Sequence, residues 1–249
     1  MDKIPKSHPR FISLTTRDRL SNSIKKGLVH ETGLIAHGRG EAFDYLIGEE
    51  TIKIANEAEK VAAAALICAK NPVISVNGNV VALTGKECID LADLIPAKIE
   101  VNLFHRTETR MKLLTKELKN LGAKKVYGSS ANAKIPGLDH DRGICDREGI
   151  FKADVVLVPL EDGDRCKALK AMDKTIIAID LNPLSRTAKT ANITIVDNVI
   201  RAIPNITNWV DKLKNEDKNN LDEMIKSWNN DEKLSEILSF ISKRLNSLF

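Results

Sequence analysis

Three short apolar runs stand out in the second half of the chain: Val155–Val158, Ile176–Ile179 and Ile193–Val196. Each is four residues long and rich in β-branched side chains. Runs of apolar and β-branched residues, without apolar/polar alternation in the first two, predict strands buried on both faces. Each run ends in turn-prone polar chemistry, in order Glu161-Asp162-Gly163-Asp164, Asp180-Leu181-Asn182-Pro183 and Asp197-Asn198. Ligands of doubly wound sheets sit beyond the carboxyl ends of the strands, so these acids and amides predict a binding edge. Upstream, Val73–Val76, Ile99–Phe104 and Val126-Tyr127 read as further strands. A helix near Lys86–Leu94 separates the first two. Another, capped by Thr107, lined by Met111, Leu114, Leu118 and Leu121 and closed by Gly122, separates the next two. The order from Val73 onward predicts an α/β fold, Rossmann-like and doubly wound with a mostly parallel sheet.

Before the sheet, a helix is expected over Thr16–Lys26, stopped by Gly27. Leu20, Ile24 and Leu28 form its apolar stripe; Arg17 falls in that stripe and Arg19 on the opposite, solvated face. The lead-in Ile4–Arg10 holds two prolines and the cationic Lys6, His8 and Arg10. It is open between a solvated arm and an arm over an anion site. Gly33–Tyr45 carries three glycines around His37, Arg39 and Glu41, which favours a tight ligand loop. Glu49–Lys70 reads as a long alanine-rich helix. Asn77-Gly78-Asn79 is open between a hairpin turn and a ligand loop. Ser129–Gly149 has little periodicity, and its prolines, glycines and charges suit a lid. Beyond Pro204 the chain turns helical, with Leu234, Ile237, Leu238, Ile241, Leu245 and Leu248 as one stripe. The expected organisation is a single α/β domain: arm and helices over 1–70, sheet over 71–205, helices over 206–249.

Composition narrows the function classes. Net charge is +4 with charges spread along the chain, and only 4% of residues are aromatic. A nucleic-acid groove needs a concentrated basic stripe with stacking aromatics, so no nucleic-acid partner is expected; anionic small molecules fit better. Cys68, Cys88, Cys145 and Cys166 contain no Cys-x-x-Cys pair, which argues against a zinc knuckle or redox motif. Met1–Arg10 is polar, unlike a signal peptide, and no run approaches the ~20 apolar residues that span a bilayer. The expected home is the cytoplasm, without membrane association.

Several chemistries lack their motifs in this chain. Walker A, the G-x-S-x-G elbow and H-E-x-x-H are missing. The dinucleotide fingerprint is also missing, which argues against a dehydrogenase. What remains is a set of open alternatives. Asp180 reads as a ribose-binding acid or as part of an Asx-capped turn. Arg186 reads as a phosphate clamp or an exposed turn residue. Asp162 and Asp164 read as Mg²⁺ ligands or ordinary turn acids. Arg39 is the best anion donor of its stretch, and His37 is a candidate general base.

The strings IPKSHPR, GLIAHGRGEAFDYLIGE, VNGN, PLEDGDR, DLNPLSRTA and ITIVDNVIRA, spread from residue 4 to about 204, resemble the archaeal phosphopantothenate synthetase family, 4-phosphopantoate–β-alanine ligase. The resemblance implies condensation of 4-phosphopantoate with β-alanine at the expense of ATP. The products would be 4'-phosphopantothenate, AMP and pyrophosphate, a step of coenzyme A synthesis. It implies a Rossmann-like homodimer. It implies ATP contacts at Arg17, Arg39, Asp180, Leu181, Asn182, Arg186, Thr187, Asn198 and Val199. In this scheme Arg17 and Arg39 clamp phosphates, Asp180 and Asn182 read adenosine, and His37 takes the proton of the β-alanine amine. Mg²⁺ would accompany ATP near Asp162 and Asp164. The alternative is a nucleotide-sensing regulator without turnover.

Overall fold

The computed structural model describes residues 4–247. Two helices open it, α1 (Phe11–Lys25) and α2 (Thr32–Ile47), followed by α3 (Lys53–Cys68). The sheet then begins: β1 (Pro72–Val76), α4 (Gly78–Leu94), β2 (Lys98–Val101), α5 (Glu108–Asn120), β3 (Val126–Tyr127). After a small antiparallel ladder of β4 (Ala133–Lys134) and β5 (Ile144–Cys145) come β6 (Val155–Pro159), α6 (Gly163–Lys170), β7 (Thr175–Ile179), α7 (Arg186–Thr190) and β8 (Ile193–Ile195). Three helices close the described chain: α8 (Val199–Leu213), α9 (Lys218–Lys226) and α10 (Asn230–Asn246).

The main sheet has the order β3-β2-β1-β6-β7-β8 and every pairing is parallel. The expected doubly wound α/β sheet is therefore present. Strand order reverses between β1 and β6, with Ile74 in register with both Ile99 and Leu157. Period-2 alternation sends Ile74, Val76, Leu157, Ile177 and Ile179 to one face, against α3, α4 and α8. It sends Val73, Val156, Val158, Ile176 and Ala178 to the other. That division is why apolar residues occupy successive positions of β6 and most positions of β1, β7 and β8.

The second face explains a departure from expectation. No crossover helix joins β3 to β6; residues 128–154 do so instead and cover the sheet. Ile135, Leu138, Cys145 and Ile150 are buried there beneath the strands. Glu100, fully buried in β2, clips this segment by accepting the amide protons of Asp146 at 2.9 Å and Ile150 at 2.7 Å. Burial lifts the Glu100 carboxyl to about 7, against the pull of those two hydrogen bonds. A segment with a core of its own is a covering layer, so the lid reading of 129–149 is corrected.

The glycine-rich stretch 33–45 is a helix, not a ligand loop. Gly33, Ala36 and Gly40 lie on one stripe of α2 at helical spacing. The absence of side chains there lets the helix come close: a Cβ on Gly33 would overlap Asn79, and one on Gly40 would meet Leu181 at 3.6 Å. Packing outweighs the helix penalty of glycine. Gly48, at φ 97°, ends the helix in the left-handed conformation.

Smaller shifts have local causes. α1 starts at Phe11 rather than Thr16, with the Thr15 and Thr16 hydroxyls donating to the Phe11 and Ile12 carbonyls at 2.7 and 2.8 Å. α3 is shorter than Glu49–Lys70: Glu49 sits at φ 58° in a bend, and Ile52, just before the helix, is extended. Asn77-Gly78-Asn79 is a strand end: Asn77 caps α4 by accepting from the Val80 amide at 3.1 Å. β2 stops at Val101, short of Phe104, because Asn102 turns its side chain to the Arg142 and Ile144 carbonyls. Leu234, Ile237 and Ile241 of α10 pack with Ile47, Leu181 and Ala188, whereas Leu238 and Leu245 are exposed and Leu248 lies outside the described residues. Among the described residues no helix is long and apolar enough to cross a membrane.

Candidate functional site

A cleft of about 450 Å³ lies along the carboxyl ends of the strands, roofed by α2. It spans the switch point between β1 and β6, where the flanking crossovers run to opposite sides and leave a crevice. Asn77 bridges that point, donating from Nδ2 to the Leu160 carbonyl at 3.0 Å. A larger groove of about 890 Å³ runs beside α5, but the lysines along it are Lys112, Lys116 and Lys119 of an open helix face. Convergent, partly buried polar groups mark the cleft as the site.

Arg39, Asp180, Leu181, Asn198 and Val199 are brought together in the cleft, and His37 lines it from α2. Asp180 ends β7. It accepts from the Asn182 amide at 2.9 Å and the Ser185 hydroxyl at 2.5 Å. Burial pushes its carboxyl above the usual range, and those two donors and the charge of Arg39 pull it back. Asn198 caps α8, accepting from the Ile200 amide at 3.3 Å and donating from Nδ2 to Asp44 of α2 at 2.9 Å. Arg201, one turn further along α8, is shared between Asp44 and Asp197, at 2.5 Å from each. The roof and floor of the cleft are thus tied by buried charge.

His37 has a buried Nε2 without a hydrogen-bond partner. Burial, and then the charge of Arg17, hold its imidazole below the ordinary range, opposed by Glu41 and Asp44. That nitrogen is enclosed by protein, while the rest of the ring lines the cleft.

Other sequence-derived residues lie elsewhere. Arg17 pairs with Glu41 of α2, Nη2 to carboxylate 2.6 Å, in a neighbouring depression that also touches His37. The Asn182 side chain accepts from the Leu184 amide at 2.9 Å, so the Asx-turn alternative describes this loop. Thr187 is buried and donates to the Glu161 carbonyl at 2.9 Å. Arg186 is exposed, 3.5 Å from Asp164. Arg19, expected in solvent, donates to the Leu83 carbonyl at 2.6 Å. Lys6, His8 and Arg10 are exposed, and none lines the cleft.

The two acids considered for Mg²⁺ point to different partners. Asp162 accepts from Arg142 Nε at 2.9 Å and Asp164 pairs with Arg186. Among the described residues no three His, Cys, Asp or Glu side chains are gathered to hold a metal. The residues present therefore do not form a ready Mg²⁺ site.

Sequence reasoning overlooked Arg142 and the far end of the cleft. Arg142 is 5% exposed, comes from the covering segment, and lies against Glu161 at 3.3 Å. Glu161 in turn pairs with the fully buried Arg165, which donates to Ser75 at 2.8 Å. The absence of periodicity around Arg142 masked it; only the tertiary fold brings it to β6. His30, His105 and Arg110 line the cleft beyond β1. They lie in loops and at a helix start, where no sequence pattern linked them.

The fold and site define a Rossmann-like α/β protein whose ligand cleft opens at the switch point of a parallel sheet. The chain belongs to the phosphopantothenate/pantothenate synthetase family, whose model matches residues 54–244. It is 51% identical over 249 residues to a 4-phosphopantoate–β-alanine ligase of Thermococcus onnurineus, covering 100% of this chain and 95% of that one. A ligase of the same name from Methanosarcina mazei is 51% identical over 248 residues, covering 100% and 98% of the two chains. Another, from Methanospirillum hungatei, is 54% identical over 210 residues, 84% of this chain and 86% of that one.

Proposed function

We propose that this chain joins 4-phosphopantoate to β-alanine, with ATP converted to AMP and pyrophosphate, yielding 4'-phosphopantothenate for coenzyme A synthesis. The observation that carries this reading is the 51% identity, over its full length, to a ligase of that name. The cleft chemistry supports it.

A carboxylate resists amine attack because its oxygen is a poor leaving group. In the first step a 4-phosphopantoate carboxylate oxygen attacks the α-phosphorus and pyrophosphate leaves. In the second the amine nitrogen attacks the acyl carbon, AMP leaves with the bond to oxygen, and the nitrogen loses a proton. Charge builds on the α-phosphate, and fixed guanidinium donors in a water-poor cleft stabilise it. In this reading Arg39, beside Asp180, and Arg142, near the end of β6, take that role. Asp180, Leu181, Asn182, Asn198 and Val199 receive the adenosine half. Arg17, Arg186 and Thr187 belong to this reading as further ATP contacts; Arg17 would exchange its Glu41 partner for phosphate. His37, at the cleft wall, takes the amine proton in this reading. Because Asp162 and Asp164 do not converge, no step is drawn through Mg²⁺. A homodimer is part of the reading, supported by Ile12 of α1 and Ile35 of α2, 64% and 73% exposed; light scattering behind a sizing column measures it.

The deciding experiment separates spent nucleotide by chromatography. AMP and pyrophosphate should form in step with amide, and only when both co-substrates are present. ADP would overturn the adenylate route, and no ATP consumption at all would favour the sensing regulator.

A further inference from the structure

One end of the cleft is chemically unlike the other. The acids that line it are Glu161, Asp162 and Asp180, and all three follow β6 or β7. The end beyond β1 and β2 has no acid among the cleft-lining residues. It has His30, His105 and Arg110 instead. From the end of β2 to the end of β7 is three strand spacings, roughly 14 Å at about 4.8 Å each. The two ends can therefore hold different groups at once.

The cationic end is built rather than incidental. The rings of His30 and His105 stack with centroids 3.9 Å apart and planes inclined by 21°. The Thr32 amide, which can only donate, points at His30 Nδ1 at 3.3 Å. The Thr32 hydroxyl lies 2.9 Å from the same nitrogen, so the ring is held from its Nδ1 side. Desolvation, and then the charges of His30 and Arg110, hold the His105 imidazole below its usual range. Two facing imidazoles thus stand beside a guanidinium at this end of the cleft.

Arg110 is fixed from behind. It donates to the His105 carbonyl and, at 3.1 Å, to the Leu28 carbonyl, while its Nε is buried without a partner. Gly78 makes this possible: a Cβ there would overlap the Leu28 carbonyl and come within 3.2 Å of the Arg110 guanidinium. The first turns of α2 and α4, at Thr32-Gly33 and Gly78-Asn79, face the same space. Helix N-termini favour anions. Leu83, Leu103 and Phe104 line the cleft alongside, an apolar wall for a branched carbon skeleton.

We propose that His30, His105 and Arg110 form a phosphate-monoester subsite that holds the phosphate of the acyl substrate, apart from the phosphates of ATP. This rests on the ligase reading for the identity of that substrate. The subsite anchors the far end of the acyl substrate, and its carboxylate extends toward Arg39 and the nucleotide.

The test uses the full chain with His30→Ala and His105→Ala, both exposed side chains. Each should raise the KM for 4-phosphopantoate at least about tenfold, with the KM values for ATP and β-alanine within about twofold of the parent. Inorganic phosphate should compete with 4-phosphopantoate and not with ATP, and this competition should weaken in both variants. An unchanged KM for 4-phosphopantoate in both would overturn the subsite, as would a rise in the KM for ATP alone. Should a variant fail to fold, nitrogen-15 spectra of the parent's imidazoles, titrated with inorganic phosphate, decide. His30 and His105 signals must move, and silence of both rejects the proposal. A parent protein that forms no AMP would sink the ligase reading separately, leaving the phosphate titration to judge the subsite.

Discussion

Arg17 and Glu41 meet at 2.6 Å across the interface of α1 and α2, next to the cleft rather than within it. Glu41 is only 9% exposed and also accepts from Ser13 at 2.5 Å. Removing the guanidinium leaves a buried carboxylate half satisfied. Arg17→Ala should therefore cost about 1–2 kcal/mol in urea unfolding, and adding Glu41→Gln should recover most of it. If Arg17 also holds a phosphate, the KM for ATP stays raised by about tenfold or more in the double variant, the value of a charge-assisted hydrogen bond. A KM that recovers with stability would confine Arg17 to positioning α2.

Glu59 of α3 is fully buried, and neither carboxyl oxygen has a hydrogen-bond partner. Burial, and then the charge of Asp197, push its carboxyl up to about 9 from an ordinary 4.5. The folded protein holds this proton where the unfolded chain releases it. The contribution to stability is thus fully present below about pH 4.5 and is lost as pH rises toward about 9. Glu59→Gln mimics the protonated form. Denaturation series across that window should show a flatter pH dependence for the variant, with the variant at least as stable as the parent at its upper end.

The glycines of α2 differ in what surrounds them. A Cβ at Gly38 would meet nothing within 4 Å. Gly38→Ala should stabilise the helix by about 0.5–1 kcal/mol, seen as a higher Tm. Gly33→Ala should do the reverse. Its Cβ would overlap Asn79, whose Nδ2 donates to the Gly33 carbonyl at 2.9 Å, and overpacking of that kind costs about 1–3 kcal/mol.

Asn198 joins the start of α8 to Asp44 of α2. Asn198→Ala loses a cap and leaves Asp44 one donor short, at about 1–2 kcal/mol. Asn198→Asp keeps a capping oxygen but sets a carboxylate against Asp44 and beside Asp197. At neutral pH it should be the less stable of the two by calorimetry, because like charges at hydrogen-bond distance repel most where water is scarce.

The sequence by itself determined the sheet. Val155–Val158 and Ile176–Ile179 are apolar at consecutive positions, and Ile193–Val196 at all but Thr194, because helices or covering chain lie on both faces, and that demand is written locally. The acids and amides after them predicted the edge where the cleft lies, which Asp180 and Asn198 line, whereas Asp197 is buried against Arg201. The tertiary structure alone decided which groups meet there. Gly33–Tyr45 has the composition of a loop, yet its small residues are spaced so that a helix can lie against Asn79 and Leu181. The stretch around Arg142 has no period, yet Glu100, from a distant strand, clips it over the sheet and delivers a guanidinium to the cleft. His30 and His105 stack although 75 positions separate them in the chain. Periodicity reports how each segment meets the core, whereas a site is made where segments remote in sequence converge at the strand ends.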